Sequence, residues 1–401
     1  MTNNKEKKVL NVPNLRFPEF EGEWKIVSLQ EIASINPKSE PLQNRFFYID
    51  LEAVEKGELR KIQEILQEEA PSRAQRVINN NDILFQCVRP YQKNNYIHKE
   101  PNTSMTQWVA STGYAQIRTT ESPNYIYHLL NTDGFNRKVM VRCTGSSYPA
   151  INSEDLSTIH FYLSTDKNEQ CKIARLLDLL DERIATQNKI IEDLKKLKSA
   201  ISKHLFSRKD LLETTIRLAD IAALKNGYAF QSSKYDTKGK WKILTIANVS
   251  GERYINDDDC NCIINLPNDI QGHQILKEGD ILISLTGNVG RVSLCMAGNI
   301  LLNQRVGLLC ITKNVNQEFL YQVLSSRRFE NSMVACGQGA AQMNIGKGDV
   351  ENFVLPYSSN ANNIHLVARI LHSYDECIIN EQQELTLLTM QKQYLLDQMF
   401  I

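Results

Sequence analysis

Ile173 to Ile184 reads IARLLDLLDERI, and Val367 to Ile378 reads VARILHSYDECI. The same amphipathic phrase occurs twice, with position 173 falling on 367, a shift of 194. In the first segment Ile173, Leu177, Leu180, Ile184, Gln187, Ile191, Leu194, Lys198, Ile201 and Leu205 alternate spacings of four and three. That is an a/d heptad seam. Adding 194 gives Val367, Leu371, Tyr374, Ile378, Glu381, Leu385, Leu388, Lys392, Leu395 and Met399. The polar exceptions fall at matching places, Gln187 with Glu381 and Lys198 with Lys392. Neither segment contains Pro or Gly, so each predicts an unbroken helix of about 38 residues, roughly 57 Å long.

The repeat extends outward from this phrase. Gly145 falls on Gly339, Ile151 on Ile345, Asp155 on Asp349, Ala174-Arg175 on Ala368-Arg369 and Phe206 on Phe400. Earlier stretches match with small changes of offset: LQEIASI (Leu29 to Ile35) with LADIAAL (Leu218 to Leu224), and NNDIL (Asn80 to Leu84) with EGDIL (Glu278 to Leu282). Short apolar runs between Gly, Asn and Pro punctuation predict strands in both globular parts. The expected fold class is α+β. Two mixed α/β domains, 1–168 and 208–362, alternate with long helices at 169–207 and 363–401, a pseudo-twofold internal repeat.

A long helix with a narrow apolar stripe pairs with another helix. In a parallel, in-register pair Lys198 would face Lys392, and two ammonium groups in one partly dry layer repel. Connectivity also favours the antiparallel arrangement, because the second domain links the C-end of the first helix to the N-end of the second. An antiparallel coiled coil within one chain is therefore expected, in preference to a core helix in each domain or pairing with a second chain.

Bulk composition limits the function classes. The chain has 401 residues, with 46 Lys plus Arg against 46 Asp plus Glu. Residues 1–168 carry 20 basic and 20 acidic groups, and 208–362 carry 16 and 15. Neither domain is a strongly basic nucleic-acid sponge. The start, MTNNKEKKVLNVPNLRF, has no apolar core of a signal peptide, and no run is apolar enough to span a membrane. Nine scattered cysteines, an odd number, form no disulfide framework and point to a reducing cytoplasm. Cys260 and Cys262 lack a second pair or a histidine at ligand spacing, so no metal site is expected there.

Two readers on a rigid spacer suit a long polymer with two separated sites, DNA foremost. Because the two domains differ in sequence, the target is expected to be asymmetric and bipartite. The chain resembles the specificity subunit of type I restriction–modification systems. The resemblance rests on the repeat itself, on VPNLRFPEFEGEWKIVSLQEIA (Val12 to Ala33), on GSSYPAINSEDL (Gly145 to Leu156), and on the helix from Glu169 to Phe206. The later copy of the Gly-rich turn, QGAAQMNIGKGDV (Gln338 to Val350), lacks the Pro of the first. The resemblance implies two target-recognition domains, and paired helices that set the spacer and carry two modification (methyltransferase) subunits, with two motor-nuclease restriction subunits joining. It also implies no cofactor in this chain, with S-adenosylmethionine, ATP and Mg in the partner subunits.

The motifs agree that chemistry lies elsewhere. An amino-methyltransferase needs an Asn/Asp-Pro-Pro-aromatic loop, and Asn36-Pro37-Lys38 and Ser122-Pro123-Asn124 do not supply one. No phosphate-binding Gly-x-x-x-x-Gly-Lys loop or His-Glu-x-x-His occurs. His204 and His365 sit beside helix ends as solvated or capping groups. No catalytic residue is expected, and the alternative to DNA reading is a scaffold that binds proteins.

Base reading favours Arg, Lys, Asn and Gln, with Ser and Thr as helpers. In the first domain the richest window is RPYQKNNYIHKE, offering Arg89, Gln92, Lys93, Asn94 and Asn95; it reads equally as a solvated hairpin. Ser146 and Ser147, in CTGSSYP, could hold a phosphate or simply form a turn. The second domain offers Thr286, Asn288, Arg291, Gln304, Arg305, Gln338, Gln342, Asn344 and Lys347.

Overall fold

The computed structural model describes residues 11–103, 106–337 and 343–401. The chain divides into two compact units, Met1–Gln187 with Glu384–Ile401, and Asn188–Gln383. The two long helices, Lys167–Ser207 and Ala361–Met399, contribute one half each to both units.

In each unit the two half-helices run antiparallel. In the first, Leu177 shares a core with Leu396, Met399 and Phe400, while Asp181 pairs with Lys392 and Arg183 approaches Glu384 at 3.8 Å. Residue number rises on one helix as it falls on the other. In the second unit Leu371 packs with Ile201, Leu205 and Phe206, and Asp375 accepts from Lys198 Nζ at 2.5 Å. Asp181 and Asp375 are equivalent in the repeat, as are Lys392 and Lys198. The seam lysines that argue against a parallel pair each find the equivalent aspartate of the other helix. Every seam position is buried or half-buried, so the heptad reading and the α+β repeat hold.

The frame repeats element by element. Helices Pro123–Leu130, Asp133–Arg142 and Ser153–Ser157 correspond, at the shift of 194, to Gln317–Leu324, Arg327–Cys336 and Lys347–Glu351. Strand His160–Leu163 pairs antiparallel with Lys25–Ser28, and Val354–Tyr357 with Thr214–Arg217. In the first unit Tyr114–Thr119 lies between Ala33–Ile35 and Ile83–Gln86; in the second, Val306–Ile311 lies between Ala222–Asn226 and Ile281–Ser284. A second sheet in each unit contains one parallel pair, Trp108–Ser111 with Arg45–Ile49 and Ile300–Leu302 with Trp241–Leu244. The central strands are buried on both faces: Ile83 and Phe85 pack with the helices while Leu84 enters a second core, and Ile281 and Ile283 do so while Leu282 enters another.

The repeated motifs have local jobs. In NNDIL, Asp82 accepts from the Asn79 amide at 2.7 Å; in EGDIL, Asp280 accepts from the Lys277 amide at 2.8 Å. Each aspartate closes the turn that launches the next strand. The opening motif is an anchor. Arg16 Nε and the Trp24 indole N–H both donate to fully buried Glu169, at 2.6 and 3.1 Å, and Ser164 Oγ donates at 2.5 Å. Three donors satisfy a carboxylate that burial alone would disfavour.

Candidate nucleic-acid interface

The strand Ile83–Gln86 leads directly into the polar window that begins at Arg89. Cys87 and Arg89 leave that strand edge and meet the Gly-Ser turn: Arg89 N donates to Pro149 O at 2.8 Å, Ile151 N to Cys87 O at 3.0 Å, and Val88 bridges Ala150. The turn is closed by reciprocal bonds of 2.9 Å between Thr144 and Ala150. Gly145, at φ +89, supplies the left-handed residue the turn requires. Ser146, Ser147 and Tyr148 are exposed on it, and the Arg89 guanidinium lies 4.4 Å from the Tyr148 ring centroid. Arg89 and Lys93 bracket the one-turn helix Pro90–Gln92 and both take left-handed backbone, at φ 54 and 52. Non-glycine residues there are uncommon and mark a segment held by its surroundings.

The other candidate side chains of that window, from Gln92 to Asn95, bond within the unit, although Gln92 is exposed and only Asn95 is buried among them. Asn95 is buried, accepting from Gln86 N at 2.8 Å and donating to Asn131 Oδ1 at 3.0 Å. Asn94 Oδ1 accepts from the Lys56 amide, and Gln92 Oε1 accepts from Gln86 Nε2. Lys93 Nζ donates to Asp133 Oδ1 at 2.5 Å and to Asn131 O at 3.0 Å. These side chains hold the loop; Arg89 and the serines face out.

The second unit builds the same meeting place from other residues. After Ile281–Ser284, Thr286 bridges Asn344, Gly287 N donates to Met343 O at 3.0 Å, and Ile345 N donates to Leu285 O at 2.9 Å. Leu285 N donates to Arg305 O at 3.0 Å, which brings exposed Gln304 and Arg305 alongside. Asn288 and Asn344 are exposed. The Thr286 hydroxyl is buried with no partner among the described residues. Arg291 lies 3.9 Å from Glu330, and Lys347 lies 3.6 Å from Glu351. Gln338 and Gln342 lie outside the described residues.

Two features escaped the sequence reading. Gly227 packs against the Gln304-Arg305 turn so closely that a Cβ there would sit 2.2 Å from Asn303 O. Tyr228 follows it; its carbonyl accepts from Gln304 N at 3.0 Å and its hydroxyl donates to Asp269 at 2.8 Å. In the first unit Arg76 is half-buried beside Cys87, its Nε–H lacks an acceptor among the described residues, and burial lowers its pKa. Its place in AQRV reads as an ordinary outward strand position, so nothing in the sequence singles it out.

No group of three or more metal-ligating side chains occurs among the described residues, and no described helix is long and apolar enough to cross a membrane. The nine cysteines are all free thiols. Burial pushes Cys87 up to about 11 and Cys295 up to about 12, which keeps them unreactive.

A family model described as the type I restriction modification DNA specificity domain matches residues 21–196 and 213–390. The type I restriction enzyme MjaVIII specificity subunit of Methanocaldococcus jannaschii is 24% identical over 384 residues, spanning 88% of this chain and 85% of that one. The type I S subunit structure from M. genitalium aligns with a TM-score of 0.58 at 16% identity, covering 97% and 99% of the two chains. A chain from a study of assembly and conformational transition of the type I R-M system aligns at 0.56 and 21% identity, covering 93% and 96%. The two solved structures share the fold.

Proposed function

Because this chain belongs to the type I restriction–modification DNA specificity family, we propose that it reads a bipartite, asymmetric DNA site, one part with each unit. It is a DNA-recognition subunit and not an enzyme; DNA and the modification and restriction subunits are its partners. The observation that carries the bipartite reading is the pair of equivalent meeting turns, equally framed but lined by different residues.

In this reading Arg89 and Arg305 reach guanine O6 and N7, and Asn288 and Asn344 reach adenine edges. Ser146, Ser147 and Lys347 hold phosphates and fix register, and Thr286 shapes the meeting turn. Gln304 and Arg291 lie beside these groups and complete the second reader. Lys93 and Asn95 shape the first. The domain limits 1–168 and 208–362 bound the readers, with the helices as spacer. Two modification and two restriction subunits complete the assembly in the cytoplasm, bringing S-adenosylmethionine, ATP and Mg. With balanced charge in each domain, the chain alone binds duplex weakly and tightly only with modification subunits.

Methylome sequencing of a host with and without this chain tests the reading. One bipartite, non-palindromic motif should lose its methyl groups. An unchanged methylome in a host with active modification subunits, or a lost motif that is a continuous palindrome, refutes it.

A further inference from the structure

The second unit holds a cleft of about 1130 Å³ between the end of the central helix, helix Gln317–Leu324 and the start of helix Arg327–Cys336. Its three lining carboxylates are already paired: Glu192 with Lys196 at 2.7 Å, Glu252 with Lys195 at 2.6 Å, and Asp375 with Lys198 at 2.5 Å. Besides Arg253, which binds Glu318 and Asp375, four further cations line it: Lys203, Lys209, Arg327 and Arg328. None of them has a carboxylate partner among the described residues; Arg328 meets only the Val354 carbonyl, at 3.4 Å, and the face of Phe353. The cleft thus keeps positive charge that the protein does not neutralise.

Two more observations point the same way. Ser326, at the N-cap of the ten-residue helix Arg327–Cys336, does not cap it; its hydroxyl donates to Val323 O at 2.6 Å. The first amides of that helix keep their affinity for an anion. On the cleft wall, Arg253 is 9% exposed; two of its nitrogens bind Glu318 and Asp375, and its Nε–H has no acceptor among the described residues. The equivalent place in the first unit is neutralised internally. Thr132 caps its helix by accepting from Phe135 N at 3.1 Å, Asp133 stands where Arg327 stands, and Lys93 and Gln393 both donate to Asp133.

We propose that this cleft binds phosphate groups, supplied either by a nucleic-acid backbone or by a polyphosphate nucleotide. Two adjacent guanidinium groups at an open helix N-terminus match the multiple oxygens of phosphate better than a single carboxylate. The proposed binding requires no base sequence.

Amine-labelling footprinting of the full chain tests it. Lysines 203 and 209 are followed by mass spectrometry against exposed Lys234 and Lys238 of the same unit as controls. The probes are inorganic triphosphate, a duplex of arbitrary sequence, and polyglutamate. Labelling of Lys203 and Lys209 should fall at least threefold with the phosphate probes while the controls stay unchanged. Protection by duplex alone assigns a nucleic-acid backbone; protection by triphosphate as well assigns free polyphosphate. Arg327→Gln with Arg328→Gln should abolish the protection with the control labelling unchanged. No selective protection, or equal protection by polyglutamate, overturns the proposal. Because the duplex needs no target motif, this outcome is distinct from failure of the bipartite reading.

Discussion

The two units share a frame and differ in what they do with charge. Each closes its helix pair with one seam lysine and one aspartate, yet the surroundings are unlike. Lys198 and Asp375 are 18% and 7% exposed, and Asp375 also accepts from Arg253 at 3.0 Å and Gln322 at 2.6 Å. Lys392 and Asp181 are 21% and 37% exposed, and among the described residues no such network surrounds Asp181. A repeat conserves backbone geometry more strictly than electrostatics, because packing constrains shape everywhere but charge only where water is excluded.

That contrast predicts the largest effect. Asp375→Ala strands Lys198 and leaves Arg253 with Glu318 alone, and should cost about 3–5 kcal/mol, whereas Asp181→Ala should cost about 1 kcal/mol or less. Urea denaturation of both variants checks this, and equal losses would break the comparison.

The next effect is confined to the first unit. His98 is fully buried, its ring 6.2 Å from that of Tyr96 and 5.1 Å from that of Trp108. Burial pushes its pKa down from 6.5 to about 4. A depressed histidine pKa means that the unfolded chain takes up the proton first. Stability is therefore complete above about pH 6.5 and falls as pH drops toward 4, by on the order of 3 kcal/mol in all. Hydrogen exchange at pH 7 and pH 4.5 should show this loss in first-unit core peptides; the dependence should vanish in His98→Gln. A second unit that loosened equally would show that carboxylates, not His98, dominate.

Smaller effects separate the two readers. Arg89→Ala and Arg305→Ala should each weaken target binding 10- to 100-fold, about 1–3 kcal/mol, and relax only one half of the methylated motif. Methylation of both halves changing together would contradict separate readers. Smallest of all, Lys93→Ala should alter DNA affinity less than threefold, since its ammonium already serves Asp133; filter binding of the assembled complex measures it.

Much of the frame is legible in the sequence. The seam positions, the matching lysines and the shift of 194 carry the helix pair and its direction, because heptad spacing and like-charge repulsion are local rules. The NNDIL and EGDIL copies mark equivalent strand starts, since an aspartate closing a turn needs only near neighbours. The candidate interface is half legible. Arg89 and Ser146 are far apart in sequence, yet both window and turn stand out by composition. What composition does not reveal is direction: Asn95 and Arg89 look alike as polar loop residues, and only the Gln86 strand edge draws Asn95 inside.

The sequence by itself determined the duplicated architecture and, through the family it matches, the role of the chain in DNA recognition. Only the tertiary structure decided which polar side chains hold the loops and which remain free. It also left Lys203, Lys209, Arg327 and Arg328 in a single cleft without a carboxylate partner among the described residues. Periodicity is written along the chain, whereas neutralisation of a charge depends on partners brought in from distant segments.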